Sequence, residues 1–142
     1  MKIINKAYKI QIYPNKGQKV LLEKHFGCVR FVYNHFLGVR NVEYNTNKVN
    51  MSYCETANEL TVFKSKEEFV WLNDINAQSL QWSLRYLDIA FRNFFRGNAK
   101  FPSFKKKSSE QSFKVPVNST FKLINKKIIL PKFREGIDFK GQ

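Results

Sequence analysis

Gln78, Gln81, Arg85, Arg92 and Arg96 follow one another at intervals of three, four and seven residues. At about 100° of helical rotation per residue they fall within about 60° of one another. Arginine reads guanine edges and clamps phosphates, and glutamine reads adenine edges. Such a stripe is what a helix lying in a nucleic-acid groove needs. A solvated polar face is the competing reading. The flanks are apolar rather than acidic, and no glutamate falls among the arginines, which favours nucleic-acid contact. A second candidate lies just beyond, where Phe101 and Phe104 interleave with Lys100, Lys105, Lys106 and Lys107. Exposed rings stack on unpaired bases while lysines neutralise phosphates. The two rings could equally anchor a linker to the helices; for the lysines, phosphate contact is the expectation.

No catalytic constellation accompanies these residues. His25 sits on an apolar helix face and reads as a core histidine. His35 lies off that face and is expected to be exposed or to contact a phosphate. Glu67 and Glu68 point to different sides of any helix, and Asp74, Asp88, Glu110, Glu135 and Asp138 show no pairing spacing. Cys28 and Cys54 have no metal-ligand spacing and read as buried or idle thiols. Gly27, Gly38 and Gly97 are isolated, so no phosphate loop is present.

The elements that must position the stripe are legible from periodicity. Tyr8, Ile10 and Ile12 alternate with Lys9 and Gln11, which predicts a strand. Pro14 ends it and Asn15 is placed to cap a helix. Leu21, His25, Cys28, Val29, Val32, Phe36 and Val39 share one helical face. Gly27 marks a kink or a break between two helices. Asn41 to Asn50 is polar and asparagine-rich and is expected to be a loop. A shorter helix follows Ser52, through Ala57, Leu60 and Phe63. The clearest helix runs from Asn76 to Phe95, with Leu80, Leu84, Leu87, Phe91 and Phe94 as its core stripe. Trp82, Tyr86 and Ile89 form a second apolar face, so this helix is expected to pack on two sides. Past residue 98 a basic, aromatic-studded linker leads to an alternation of Phe113, Val115 and Val117 with Lys114 and Pro116. Phe121 to Ile124 and Ile128 to Leu130 flank Asn125, Lys126 and Lys127, which predicts a hairpin. The residues FREGIDFKGQ show no closing element.

Strand, helices, strands is the order of an α+β fold with a helical lobe inserted into a small, partly open antiparallel β-barrel, leaving an exposed sheet edge. The expected divisions are 1–14 for the first strand, 15–97 for the helical lobe with a helix-turn-helix region near 15–45, 98–111 for the linker, and 112–142 for the remaining strands. The chain has 142 residues, 25 Lys and Arg against 11 Asp and Glu, and a net charge of +14. So large an excess calls for an anionic partner. No apolar run spans a bilayer and no signal peptide is recognisable, so no membrane partner is expected and a reducing, intracellular site is.

The motifs YPNKGQ, FGCVRFVYN, QSLQ, NFFRG and FPSFK occur in this order and spacing along the chain. Together they make the sequence resemble the opening of the TnpB (OrfB) proteins of bacterial insertion sequences, often named transposases, over essentially its whole length. The resemblance implies an RNA-guided DNA nuclease whose first strand and later strands form a wedge domain and whose inserted helices form a recognition domain. These parts bind guide RNA and read a short DNA motif. The matching motif-reading positions are Tyr53, Thr56, Ala77, Gln78, Gln81 and, more weakly, Asn118. At Ala77 some relatives carry a basic residue, so a changed or weakened preference is implied. Cleavage in the family belongs to a downstream RuvC-like domain with acidic residues, magnesium and a zinc-binding insertion. None of these has a counterpart here.

The expectation is therefore a cytoplasmic, nucleoid-associated, nucleic-acid-binding portion of a TnpB-like protein, truncated before the RuvC-like domain. It would bind DNA and guide RNA and lack nuclease activity and cofactors of its own. Arg85, Arg92 and Arg96 would hold phosphates. The alternatives are half of a split nuclease completed by a separate RuvC-containing chain, and a decayed transposase remnant. A free-standing helix-turn-helix regulator would need a dimer helix, and none is evident.

Overall fold

The computed structural model describes residue 3, residues 7–116 and residues 122–140. Strand β1 spans Gln11–Tyr13, followed by helices α1 (Lys16–Asn47), α2 (Tyr53–Ser65) and α3 (Ala77–Phe95). A 3₁₀ segment, Glu67–Asp74, joins α2 to α3, and strands β2 (Lys122–Ile124), β3 (Lys127–Ile129) and β4 (Ile137–Lys140) follow.

Helix α1 starts where a capping box forces it to. The Asn15 side chain accepts from the Gln18 N–H at 2.8 Å, and the Gln18 side chain accepts from the Asn15 N–H at 2.9 Å. Two expectations fail along this helix. Gly27 does not break it: the helix is continuous from Lys16 to Asn47. The asparagine-rich stretch is helical as far as Asn47. There Asn45 donates to Asn41 at 2.7 Å and Asn47 to Glu43 at 3.2 Å, so side chains one turn apart support the backbone rather than compete with it. The helix stops at Lys48, whose φ of 55° is left-handed. Residues 16–47 thus form one helix, with no turn between two helices inside 15–45.

The three helices enclose the main core. Val32, Leu72, Leu80, Leu84 and Leu87 are fully buried, and Phe36, Leu37, Ile75 and Phe91 nearly so. The core stripe expected on α3 is borne out through Phe91; Phe94 is half-buried. Leu72 and Ile75 enter from the 3₁₀ segment and the turn after it. Helices α1 and α3 approach closely where Ser83 donates its hydroxyl to the Val29 carbonyl at 2.8 Å. The expectation that α3 packs on two sides fails. Tyr86 and Ile89 are each 45% exposed, so no helix covers this second face.

The strands form an open antiparallel sheet in the order β1–β4–β3–β2. Asn125 and Lys126 have φ of 50° and 60°, the two-residue turn that matches strand twist in a tight hairpin. Lys127 belongs to β3 rather than to the turn. The first strand lies three residues later in register than Tyr8 would give, and Tyr8 itself is 77% exposed. The C-terminal residues carry the largest correction. Ile137–Lys140 is a strand after all, paired with β1 on one side and β3 on the other. Conversely, the alternation from Phe113 forms no strand over residues 113–116, while Val117 lies outside the described residues. Gln18 ties helix to sheet by donating to the Gly136 carbonyl at 3.0 Å. Phe133 and Ile137 are buried, and His25 stands 5.3 Å from the Phe133 ring.

Candidate nucleic-acid interface

The exposed side of α3 carries the predicted stripe. Ala77, Gln78, Gln81, Arg85, Arg92 and Arg96 are all solvent-exposed. The start of α2 lies beside the first half of this face, because both helices pack on the same core. Ser52 caps α2 by accepting from the Glu55 N–H at 3.2 Å. The next residue, Tyr53, lays its ring under Arg85, with the guanidinium 4.2 Å from the ring centroid. Arg85 also lies 5.4 Å from the Trp82 ring. The Lys114 ammonium sits 3.5 Å from the centroid of the same Trp82 ring. Tyr53, Arg85, Trp82 and Lys114 thus form a ladder of alternating rings and cations. No carboxylate lies within salt-bridge distance of Arg85 among the described residues, so its charge is available to an anion.

The rest of the stripe is less uniform than its spacing suggests. Arg92 pairs with Asp88 at 3.0 Å, so an acidic partner does fall among the arginines, one turn before it. Asp88 in turn holds Arg40 of α1 at 3.1 Å. Arg40 is 2% exposed, a site that sequence reasoning missed. Its guanidinium also donates to Asn50 at 2.8 Å and stacks 4.2 Å from the Phe91 ring. Burial pulls the Arg40 pKa down, opposed by its hydrogen bond to Asp88. Arg96 stands beyond the last turn of α3, away from the ladder.

Thr56 is fully buried and donates its hydroxyl to the Tyr53 carbonyl at 2.8 Å. It supports the residue that presents Tyr53 and does not itself face solvent. Asn118 lies outside the described residues. Phe101 packs edge-on against Phe91 and Phe94 at 5.4 and 5.1 Å, so it anchors the linker, while Phe104 is 57% exposed. Lys100, Lys105, Lys106 and Lys107 are exposed. Lys105 is fixed to α1 by reciprocal hydrogen bonds between its backbone and the Asn34 side chain, at 2.8 and 2.9 Å. Its ammonium lies 4.5 Å from the Tyr33 ring.

The histidines divide differently from expectation. His25 is a core histidine, as expected: it is 1% exposed and its Nδ1 lies 2.9 Å from the Leu21 carbonyl. Burial lowers its pKa, partly opposed by that hydrogen bond. Its Nε2 has no hydrogen-bond partner among the described residues. His35 is half-buried rather than solvent-exposed. It packs 4.5 Å from the Phe63 ring and 4.9 Å from the Phe36 ring, and burial lowers its pKa also. It lines a pocket of about 450 Å³ between α1 and α2. Aromatic packing across helices holds it, which periodicity on one helix does not reveal. Cys28 is buried and Cys54 exposed, both as free thiols. Among the described residues no group of three or more His, Cys, Asp or Glu is placed to hold a metal ion. No described helix is long and apolar enough to cross a membrane.

Residues 1–48 match the helix-turn-helix domain of IS605-type OrfB proteins. In this structure the matched residues hold β1 and the single long helix α1. The chain is 32% identical over 140 residues to a candidate RNA-guided DNA endonuclease of Streptomyces pristinaespiralis, covering 99% of this chain and 35% of that protein. It is 35% identical over 126 residues to InsQ of Escherichia coli K12, also named as a candidate RNA-guided DNA endonuclease, covering 89% of this chain and 31% of that protein. The chain thus spans about a third of the length of these two relatives. It is also 32% identical over 111 residues to the virulence protein VsdF of Salmonella dublin, covering 72% of this chain and 93% of that protein. The domain match and these relatives agree with the ordered motifs: the chain belongs to the TnpB (OrfB) family of insertion-sequence proteins.

Proposed function

We propose that this chain is a nucleic-acid-binding portion of a TnpB-like, transposon-associated protein, with duplex DNA as one partner and guide RNA as another. The observation that carries the reading is the exposed Gln78, Gln81 and Arg85 face of α3, with Arg85 stacked on Tyr53 and no carboxylate within salt-bridge distance of it among the described residues. Glutamine amides at this spacing suit base edges, and a pre-oriented guanidinium suits a phosphate or a guanine. The helices of 15–97 would act as the recognition lobe, and the open sheet as the wedge-like element beside it. Arg92 and Arg96 would add phosphate contacts, with Arg92 held in place by Asp88. Cutting is not assigned to these residues. Asp74 is paired with Lys24, Asp88 with Arg40 and Arg92, and Asp138 with Lys127. Magnesium and zinc would belong to a RuvC-like part outside this chain.

A titration of duplex DNA binding against salt tests the reading. The log–log slope should steepen by about 0.9 for each phosphate neutralised, and Arg85→Ala should lower it by about that amount. Gln81→Ala should leave the slope alone and flatten sequence preference, by about 1–3 kcal/mol at the base it reads. An affinity that ignores salt would overturn the proposal.

A second reading is favoured by the sheet, whose edges β1 and β2 have no further strand partner among the described residues. A separate RuvC-containing chain could add a strand there and complete a nuclease in trans. Magnesium-dependent cutting that needs both chains together would establish it.

A further inference from the structure

Residues 105–114 run as a strap along the groove between α1 and α3. Four polar attachments hold the strap there. Two are the hydrogen bonds between Asn34 and the Lys105 backbone. The third runs from Arg30 to the Gln111 amide oxygen at 2.7 Å. The fourth runs from the Ser79 hydroxyl to the Lys114 carbonyl at 2.8 Å. The groove's cations are Arg30, Lys105, Lys106 and Lys114, and Glu110 is the acidic side chain among its lining residues. Tyr86 also lines it, 45% exposed, with its ring centroid 5.7 Å from that of Trp82 one turn earlier.

A half-exposed ring beside fixed ammonium groups has a specific chemistry. A base inside a duplex already has both faces stacked, so it offers no face to such a ring. An unpaired base does, and its flanking phosphates then meet the lysines. Stacking on Trp82 is blocked on one side, since Lys114 covers its face. We infer that Tyr86 and the strap form a seat for an unpaired nucleotide, the base stacked on Tyr86 and the adjoining phosphates on Lys105 and Lys106. This site lies on the α1 side of α3, next to the Gln and Arg face. It extends the nucleic-acid reading above, on which it rests, from duplex to single strand. A ring face and an ammonium make no use of the 2′ position, so DNA and RNA strands are both expected to bind.

The test uses the whole chain carrying Trp71→Phe, which leaves Trp82 as the sole tryptophan. Oligo(dT) and oligo(rU) of about 12 nucleotides, within the span one small domain covers, are titrated beside a duplex. Both single strands should change Trp82 emission. Tyr86→Ala should weaken single-strand binding about tenfold, the scale of one base stack, while Tyr86→Phe retains it. Duplex affinity should be unchanged in both variants. Lys106→Gln should lower the single-strand salt slope by about 0.7, and Tyr86→Ala should leave that slope alone. Equal binding of single strands by Tyr86→Ala, a requirement for one sugar, or parallel loss of duplex binding would overturn the seat. Duplex binding without single-strand binding would overturn this inference alone. Failure to bind either would overturn the proposed function as well.

Discussion

Arg40 and Asp88 meet across α1 and α3, 48 residues apart in the chain, with Arg40 almost wholly removed from water. Removing one partner of a buried pair strands the other charge, which typically costs about 3–5 kcal/mol. Asp88→Asn should therefore lower stability by about that much in urea denaturation, whereas Lys24→Gln, at an exposed pair, should cost under about 1 kcal/mol. This pair was illegible in sequence because the partner that helical spacing offers Asp88 is Arg92, while Arg40 lies 48 residues away and precedes a stretch that reads as loop. His25 was legible, since an apolar face that includes a histidine predicts burial. Its pKa is below the ordinary value in the folded state. Above about pH 6.5 both states are neutral and His25 contributes no pH dependence; below it the unfolded chain takes up the proton first. Stability should therefore fall as pH drops below about 6.5, and His25→Phe should shrink that fall without abolishing it, because His35 is lowered too. A denaturation midpoint that is flat from neutral pH to pH 5 would contradict this account.

Helix α1 carries two interior glycines that its geometry does not need. A Cβ at Gly38 would meet no atom within 4 Å, and one at Gly27 would meet the Arg30 guanidinium at 3.9 Å. Gly38→Ala should stabilise the protein by about 0.5–1 kcal/mol, measured by the denaturation midpoint. Gly136 is the opposite case. A Cβ there would lie 2.7 Å from the Lys127 Cβ, so Gly136→Ala must push β3 away from the segment that Gln18 holds, at a cost of about 1–3 kcal/mol. The elements that were readable are those with local signals: the Asn15 and Ser52 caps, the α3 stripe and the Asn125 turn. The unreadable ones depend on partners. Helix α1 past Arg40 persists through side-chain pairs that an asparagine-rich composition hides. Strand β4 has four residues, flanked by charge and glycine, and is a strand because β1 and β3 lie on either side of it. The 3₁₀ segment is held from outside by the burial of Leu72 and within by the bond from the Trp71 indole to the Glu68 carbonyl.

For the whole molecule the dominant quantity is its net charge of +14. Two salt responses of opposite sign follow. Screening relieves self-repulsion, so thermal stability of the free chain should rise from low to moderate salt. Nucleic-acid affinity should fall over the same interval, because fewer counterions are released to advantage. Melting curves and binding curves in the same buffers would show both trends; a stability that drops with added salt would argue that attractive ion pairs outweigh the repulsion. The stripe lies on α3, and the ladder and the basic strap both make contact with it; the order of motifs along the chain made that helix's importance legible. What the sequence left hidden was which side of it the strap would take, because Lys105 and Lys114 find their places through Asn34 and Ser79 rather than through any pattern of their own.

Strand β4 is one of the two inner strands of its sheet, yet it is built from residues 137–140 and pairs Lys140 with Gln11. Every helix that surrounds the main core is synthesised before it. On the ribosome the helical layer can therefore assemble from near-neighbour contacts while β1 waits beside it unpaired. Strand β1 joins the sheet only after β4 emerges, across a separation of more than a hundred residues. Such long-range closure should be slower than the formation of local helix contacts. Until then the edge of β1 is open to any other extended chain, so nascent copies crowded on one message are the setting in which this protein is most exposed to mispairing.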